Sequence, residues 1–241
     1  MGGDSRPTVL VVQNEGNGGP RRFGDWLAED GLRLDVVHAY DGAAPPRALA
    51  HDAVLVLGGG FMPDADDRAP WLAQTRALVA EALRSGVPVF GICLGGQLLA
   101  HVAGGAVKAD AGAPETGSVP VTLRPEAAAD PLFHDLPATV PGIEHHVDAI
   151  TALPADAAWL AQTERCPYQG FRVGERAWGV QFHPEVTPDR IPQWNADRLR
   201  AQGYDPDDVH AQAVADEPVS TPVWREVCRR FAAVVRASVP S

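Results

Sequence analysis

Apolar residues come in short bursts along the first hundred positions, and most bursts end in glycine. Thr8 to Gln13 (TVLVVQ) is a continuous apolar run followed by Asn14, Gly16, Gly18 and Gly19. That pattern predicts a strand buried on both faces and then a loop. Phe23, Trp26 and Leu27 follow at three-to-four spacing within Pro20 to Asp30, with Pro20 suited to a first helical turn. Leu32 to Ala39 reads as a second strand, and Ala53 to Leu57 as a third, running into Gly58-Gly59-Gly60. Apolar positions 71, 72, 78, 79, 82 and 83 mark an amphipathic helix stopped by Gly86 and Pro88. Val87 to Ile92 is a fourth strand and Leu94 to Val102 a compact helix. Strands alternating with helices at this spacing predict an α/β fold, an open, mostly parallel central sheet with helices on both faces.

The texture changes after Gly104-Gly105. Short β-like runs follow at Val119 to Leu123, Ala158 to Ala161, Gln169 to Val173 and Trp178 to Phe182, separated by turns rich in Pro, Gly and Asp. They predict antiparallel or mixed strands added to the sheet. From Pro188 the chain reads as helical. Its last helix is predicted to start with Thr221 as cap and Pro222 in the first turn, with Trp224, Val227, Cys228, Phe231 and Val235 on one face. No repeat or convincing linker divides residues 1–241. The expectation is a single domain with a helical segment from about 188.

Composition narrows the function. The 241 residues carry 20 basic against 31 acidic side chains, a net charge of −11, and one lysine, Lys108. With no basic run, a nucleic-acid or anionic-membrane partner is not expected. Met1 to Pro7 reads as no leader peptide, and no 18-residue apolar run is present. Cys93, Cys166 and Cys228 are widely spaced and form no CxxC pair, which fits a reduced cytoplasm and neither a zinc knuckle nor a redox dithiol.

The chemistry concentrates at Gly91-Ile92-Cys93-Leu94-Gly95, where a strand runs straight into a helix. This is the sulfur version of the G-x-S-x-G elbow, whose glycines permit a turn tight enough to push the middle side chain out. A thiol there sits at a helix N-terminus, where the dipole favours thiolate. Alone, the motif also fits a buried structural cysteine. Its context is Trp178-Gly-Val-Gln-Phe-His183-Pro-Glu185, a strand ending in His-x-Glu. Residues two apart on a strand point the same way, so Glu185 can hold one nitrogen of His183 and leave the other for the thiol. Leu57-Gly58-Gly59-Gly60 is either an ordinary turn or a donor loop whose backbone N–H approaches a substrate closely. His145, His146 and Asp148 are metal-ligand types, but adjacent strand residues face opposite ways, so no metal set is assigned. Asp64, Asp66 and Asp67 read as a solvated loop, Asp205, Asp207 and Asp208 as turn and helix-start residues, and Cys228 as core.

Strand-Gly-Gly, then G-I-C-L-G-x-Q, then F-H-P-E, in this order, resembles the class I glutamine amidotransferases, and more closely the standalone type similar to the glutaminase domain of GMP synthetase. The likeness runs from about Thr8 to Trp194. It implies Cys93 as nucleophile, His183 as base and acid, Glu185 as its orienter, and the N–H groups of Gly59 and Leu94 as an oxyanion hole. Gln97 matches a position that contacts bound glutamine, although it also reads as an outward polar residue. Glu115 matches a glutamate near the pocket. His146 lies in a segment that helps hold the substrate's amino-acid end. Relatives read Trp-His-Gly-Asp or Ser-His-Gly-Asp where this chain has His145-His146-Val147-Asp148, and the valine removes conformational freedom. The resemblance implies a glutaminase that forms a thioester and delivers ammonia to a separate synthase or ligase, with no cofactor. A γ-glutamyl peptidase or amidase acting on a larger amide, and a scaffold without turnover, remain open.

Overall fold

The computed structural model describes residues 5–239. Met1 to Asp4, part of the segment read as carrying no leader, lie outside them. The strands are β1 (Thr8–Gln13), β2 (Arg33–His38), β3 (Ala53–Val56), β4 (Val89–Ile92), β5 (Ala106–Lys108), β6 (Glu115–Leu123), β7 (Thr139–His146), β8 (Ala149–Ala152), β9 (Ala158–Gln162), β10 (Gly170–Val173) and β11 (Ala177–Val180). The α-helices are α1 (Arg21–Glu29), α2 (Trp71–Ser85), α3 (Leu94–Val102), α4 (Ala196–Ala201) and α5 (Pro206–Ser238).

Nine strands form one sheet in the order β2-β1-β3-β4-β11-β10-β9-β6-β7, and β5 pairs with β8 apart from it. The block from β2 to β11 is parallel, and β10, β9, β6 and β7 extend it antiparallel. This is the expected α/β sheet with helices on both faces.

The period of two sorts the apolar runs between layers. Val9, Val11, Leu55, Phe90 and Ile92 face a core shared with Phe23 of α1 and with Trp224, Val227 and Phe231 of α5. Val54, Val56 and Val89 point the other way, onto Leu72 and Val79 of α2 and Leu94, Leu98 and Leu99 of α3. Aromatic rings interlock on the first face, with Phe90 between Phe23 and Phe231 at centroid distances of 5.0 and 5.4 Å. Among the described residues no helix is long and apolar enough to cross a membrane.

One expectation is corrected. The last helix does not begin at Thr221. It starts at Pro206, capped by Asp205, whose carboxylate accepts the N–H groups of Asp207 and Asp208, and it runs 33 residues through Pro218 and Pro222. An interior proline frees the carbonyl four residues before it. Here those carbonyls belong to Val214 and Pro218, both exposed, so water can satisfy them. The opposite face buries Trp224, Val227, Cys228, Phe231 and Val235 and holds the helix in place. Cys228 is core, as expected.

Candidate active site

β4 and β11 lie side by side in parallel register, Gly91 opposite Gly179 and Ile92 opposite Val180. Cys93 is the next step of that ladder, and its N–H donates to Val180 O at 2.8 Å. The cysteine then breaks from the strand. Its φ of 52° and ψ of −110° are a conformation that side-chain-bearing residues rarely adopt, and α3 starts at the following residue. Strain of this kind persists only where the surroundings over-determine it. Glycines provide the closeness here. A Cβ on Gly95 would stand 2.0 Å from Val56 O, and one on Gly91 would stand 2.4 Å from the Gly95 carbonyl.

Three residues beyond β11, His183 is fixed by its N–H donating to Ile143 O of β7 at 2.7 Å. Its Nδ1 meets Glu185 Oε1 at 2.7 Å, so the His-x-Glu pair lies side by side as expected. The other side of the ring is within hydrogen-bonding reach of the Cys93 thiol. Burial opposes a charged imidazole, but the negative charges of Glu185 and Cys93 more than offset it and hold His183 well above the usual histidine range. Arg22 braces the turn between the two residues. Its Nε donates to Pro184 O at 2.8 Å, and its Nη1 pairs with Glu217 at 2.7 Å.

Gly58 and Gly59 close over the pair. The space at the Gly58 Cα lies 3.0 Å from the His183 ring and 3.5 Å from Cys93 Cβ, and that at Gly59 lies 3.0 Å from the Leu94 side chain. The loop rests on Asn14, which donates to Leu57 O at 2.8 Å, and on Glu15, which accepts the Gly60 N–H at 2.7 Å. A cavity of about 330 Å³ opens here. Cys93, His183, Glu185, Gly59, Gln97 and His146 are on its wall. Gln97 is buried and donates to Asp148 O at 3.0 Å.

Glu115 is not on the wall. It lies behind His146 in a buried polar group. Its carboxylate accepts from Thr163 at 2.6 Å and Gln169 at 2.7 Å, and its Oε2 stands 3.4 Å from His146 Nε2. Glu144, fully buried, is 3.3 Å from the same nitrogen. Burial works against charge on His146, but hydrogen bonds to Glu115 and Glu144 and the Glu144 charge raise it to about 10. Burial pushes Glu144 up as well. One imidazolium faces two buried acids, and the Glu144 carboxyl oxygens have no hydrogen-bond partner among the described residues beyond the His146 contact. Cys166 joins the group, and its ligand atom and those of Glu115 and His146 all lie within 4.8 Å of one another. Of the described residues these have the donor types to hold a metal. Burial and the two acids push the Cys166 thiol up to about 12, which makes it a poor ligand. His145 faces away from His146, stacked on Trp194 at 4.0 Å, and burial lowers it to about 4. Val147 does not adopt the left-handed conformation that would call for glycine.

A thiol, an imidazole and a carboxylate in this order, beside glycine-rich backbone at a helix start, can attack an acyl carbon and protonate its leaving group. The family model described as glutamine amidotransferase class-I matches residues 25–198. The chain belongs to this family. Glutamine-hydrolyzing GMP synthases from Aliivibrio fischeri and Aliivibrio salmonicida are 38% and 44% identical to it over 134 residues. Those stretches are 55% of this chain and 24% of each relative, so the chain matches about a quarter of their length. A crystal structure of a glutamine amidotransferase from Thermotoga maritima superposes with a TM-score of 0.83 at 26% identity, over 94% of this chain and 98% of that one. One from Methylobacillus flagellatus, at 24% identity, shares the fold with a TM-score of 0.77 over 98% and 96%.

Sequence reasoning missed part of this amidotransferase's cavity. Glu15, Arg21, Arg190, Trp194 and Arg198 also line it. Glu15 and Arg21 flank the Gly18-Gly19 loop after β1, and loops at the carboxyl ends of parallel strands are where ligands bind, so that signal was available. Asp64, Asp66 and Asp67 are elsewhere, and Asp66 forms a two-point pair with Arg76 at 2.7 and 2.8 Å.

Proposed function

We propose that this amidotransferase hydrolyses the γ-amide of glutamine through a thioester on Cys93 and releases ammonia for a separate synthase. The observation that carries the reading is Cys93 in a strained elbow, against an imidazole that Glu185 holds at 2.7 Å. The thiolate adds to the δ-carbonyl carbon. Negative charge gathers on the carbonyl oxygen, facing the N–H groups of Gly59 and Leu94, the latter at the first turn of α3, where N–H groups have no acceptor within the helix. His183 gives its proton to the amide nitrogen, the C–N bond breaks and ammonia leaves. A water then loses a proton to His183 and adds to the thioester carbon, the C–S bond breaks, and glutamate departs. Gln97 and His146 hold the amino-acid end, with Glu115 supporting His146 from behind. The names of the GMP synthase relatives support glutamine as substrate and a synthase as consumer. The three unpaired thiols suit a reducing cytoplasm.

The test is Cys93→Ala. Glutamate release should vanish while circular dichroism and melting stay as in the wild type, because the thiol is the group that forms the acyl-enzyme. An alanine variant that kept turnover would end the proposal.

A further inference from the structure

We infer that the end of the cavity beyond His183 binds a carboxylate on the leaving amine, so that the chain also cleaves γ-glutamyl amides of amino acids. The inference rests on the roles just proposed for Cys93 and His183. If His183 protonates the leaving nitrogen, whatever that nitrogen carries must lie on the His183–Glu185 side. The glutamyl end lies on the other side, with Gln97, His146 and Asp148.

Two arginines occupy the leaving side of the wall. Arg21 is the first residue of α1, next to the Arg22 that grips Pro184. It lies close enough to Glu185, Asp189 and Arg190 to feel their charges, and Arg190 is on the same cavity wall. Arg22, Arg76, Arg172 and Arg225 each pair with a carboxylate at 2.6–2.7 Å. Among the described residues Arg21 and Arg190 have no such partner. The Arg21 guanidinium donates to Asn17 O of its own loop. The nearby acids act on Arg21 through their charge and form their hydrogen bonds elsewhere. Glu185 takes His183, Glu15 takes the Gly60 N–H, and Asp189 takes the Thr187 hydroxyl.

The placement of Arg21 costs stability. Its φ is 45°, in the left-handed region. It also puts a positive charge in the first turn of α1, which has no acidic residue, at the end where the helix dipole disfavours cations. Arg22 offsets the same penalty with its pairs to Glu217 and Pro184, and Arg21 has no equivalent. Two half-buried guanidinium groups held near each other in a chain of net charge −11 are matched by an anion, and a planar carboxylate suits their geometry. The chemistry stays balanced. The C–N bond breaks as the Cys93 thioester forms, His183 supplies the proton to the amino acid released, and water frees glutamate.

The experiment compares γ-glutamylglycine with γ-glutamylglycinamide, which has nearly the same size and lacks the carboxylate. Calorimetry on the full chain carrying Cys93→Ala reads binding without turnover. The acid should bind about 10- to 100-fold tighter at low salt, the range for a charge-assisted contact, with the gap narrowing as salt rises. Arg190→Gln and Arg21→Gln should each shrink that ratio. Arg200→Gln, on the exposed pair with Asp197, should leave it as it was. Wild-type glutamate release should show the same preference. Equal affinity for the two ligands, no binding of either, or a ratio untouched by both variants would overturn the inference. The underlying reading fails separately, if neither glutamine nor either amide yields glutamate and a glutamine-mimicking diazoketone leaves Cys93 unlabelled.

Discussion

Replacing Gly95 by alanine tests how the elbow is built. Gly95 is the second residue of α3, and a Cβ there would stand 2.0 Å from Val56 O and 2.7 Å from Val56 C. Both are backbone atoms of β3, in the middle of the parallel block, so no side chain can swing aside. Restoring an ordinary contact of 3.4 Å requires the start of α3 to retreat by more than 1 Å. That moves Cys93 and the Leu94 N–H away from His183 and Gly59. Overpacking typically costs about 1–3 kcal/mol where neighbours can yield, and a rigid sheet yields least. At about 2–4 °C per kcal/mol for a chain of this size, melting should fall by roughly 2–12 °C. A misplacement of about 1 Å costs on the order of 10²-fold in rate. The control is Gly86→Ala at the far end of α2, where φ is +68° and nothing lies within 4 Å. It should cost about 1–2 kcal/mol of backbone strain and leave Cys93 reactivity alone. Melting curves and the rate of Cys93 labelling by a glutamine-mimicking diazoketone separate the two effects. A Gly95→Ala protein that melted and reacted like the wild type would refute the close-approach argument.

Other consequences can be checked with the same protein. Glu185→Gln should slow glutamate release less than His183→Ala, because the carboxylate orients while the imidazole moves the proton, a task worth about 10²–10⁴-fold; equal losses contradict those roles. The diazoketone should label Cys93 and neither Cys166 nor Cys228, both buried and with thiols pushed up by burial, and peptide mapping decides it. His146, raised to about 10 against 6.5, stabilises the fold fully below about pH 6.5, and that share is lost as pH rises through about 10. His183 acts in the same direction, so His146→Gln should flatten the decline in urea stability between pH 7 and 10 without abolishing it, and an unchanged slope would count against the buried ion group.

The parallel block, the elbow and the His-x-Glu pair were legible because each has a local signature. Apolar bursts ending in glycine gave β1, β3 and β4. Gly-x-Cys-x-Gly and a strand ending in His-Pro-Glu marked two neighbouring strand ends. Only the His145-His146 end of β7 was read as strand, because Thr139–His146 contains Pro141 and Gly142 and ends in three polar residues. It forms at the sheet edge, where a missing N–H is tolerated, with Pro141 opposite Pro120 of β6. Glu144 was invisible for a related reason. Its burial comes from a pairing across more than twenty residues, opposite Gly117, and nothing local marks it. The true start of α5 was hidden by two prolines whose cost depends on which face meets water, a tertiary fact.

The pairing of β4 with β11 also sets a timetable. Cys93 leaves the ribosome some 90 residues before His183. At roughly 5–20 residues per second, that interval is on the order of ten seconds. During it the growing chain holds a cysteine without its imidazole, and the strand that carries His183 has not yet taken its place beside β4. The β11 backbone that accepts the Cys93 N–H is also missing, so the strained turn has no anchor on that side. The reactive arrangement therefore assembles in the same event that completes the sheet. An unfinished chain ending before residue 177 can complete its first four strands and still be chemically quiet.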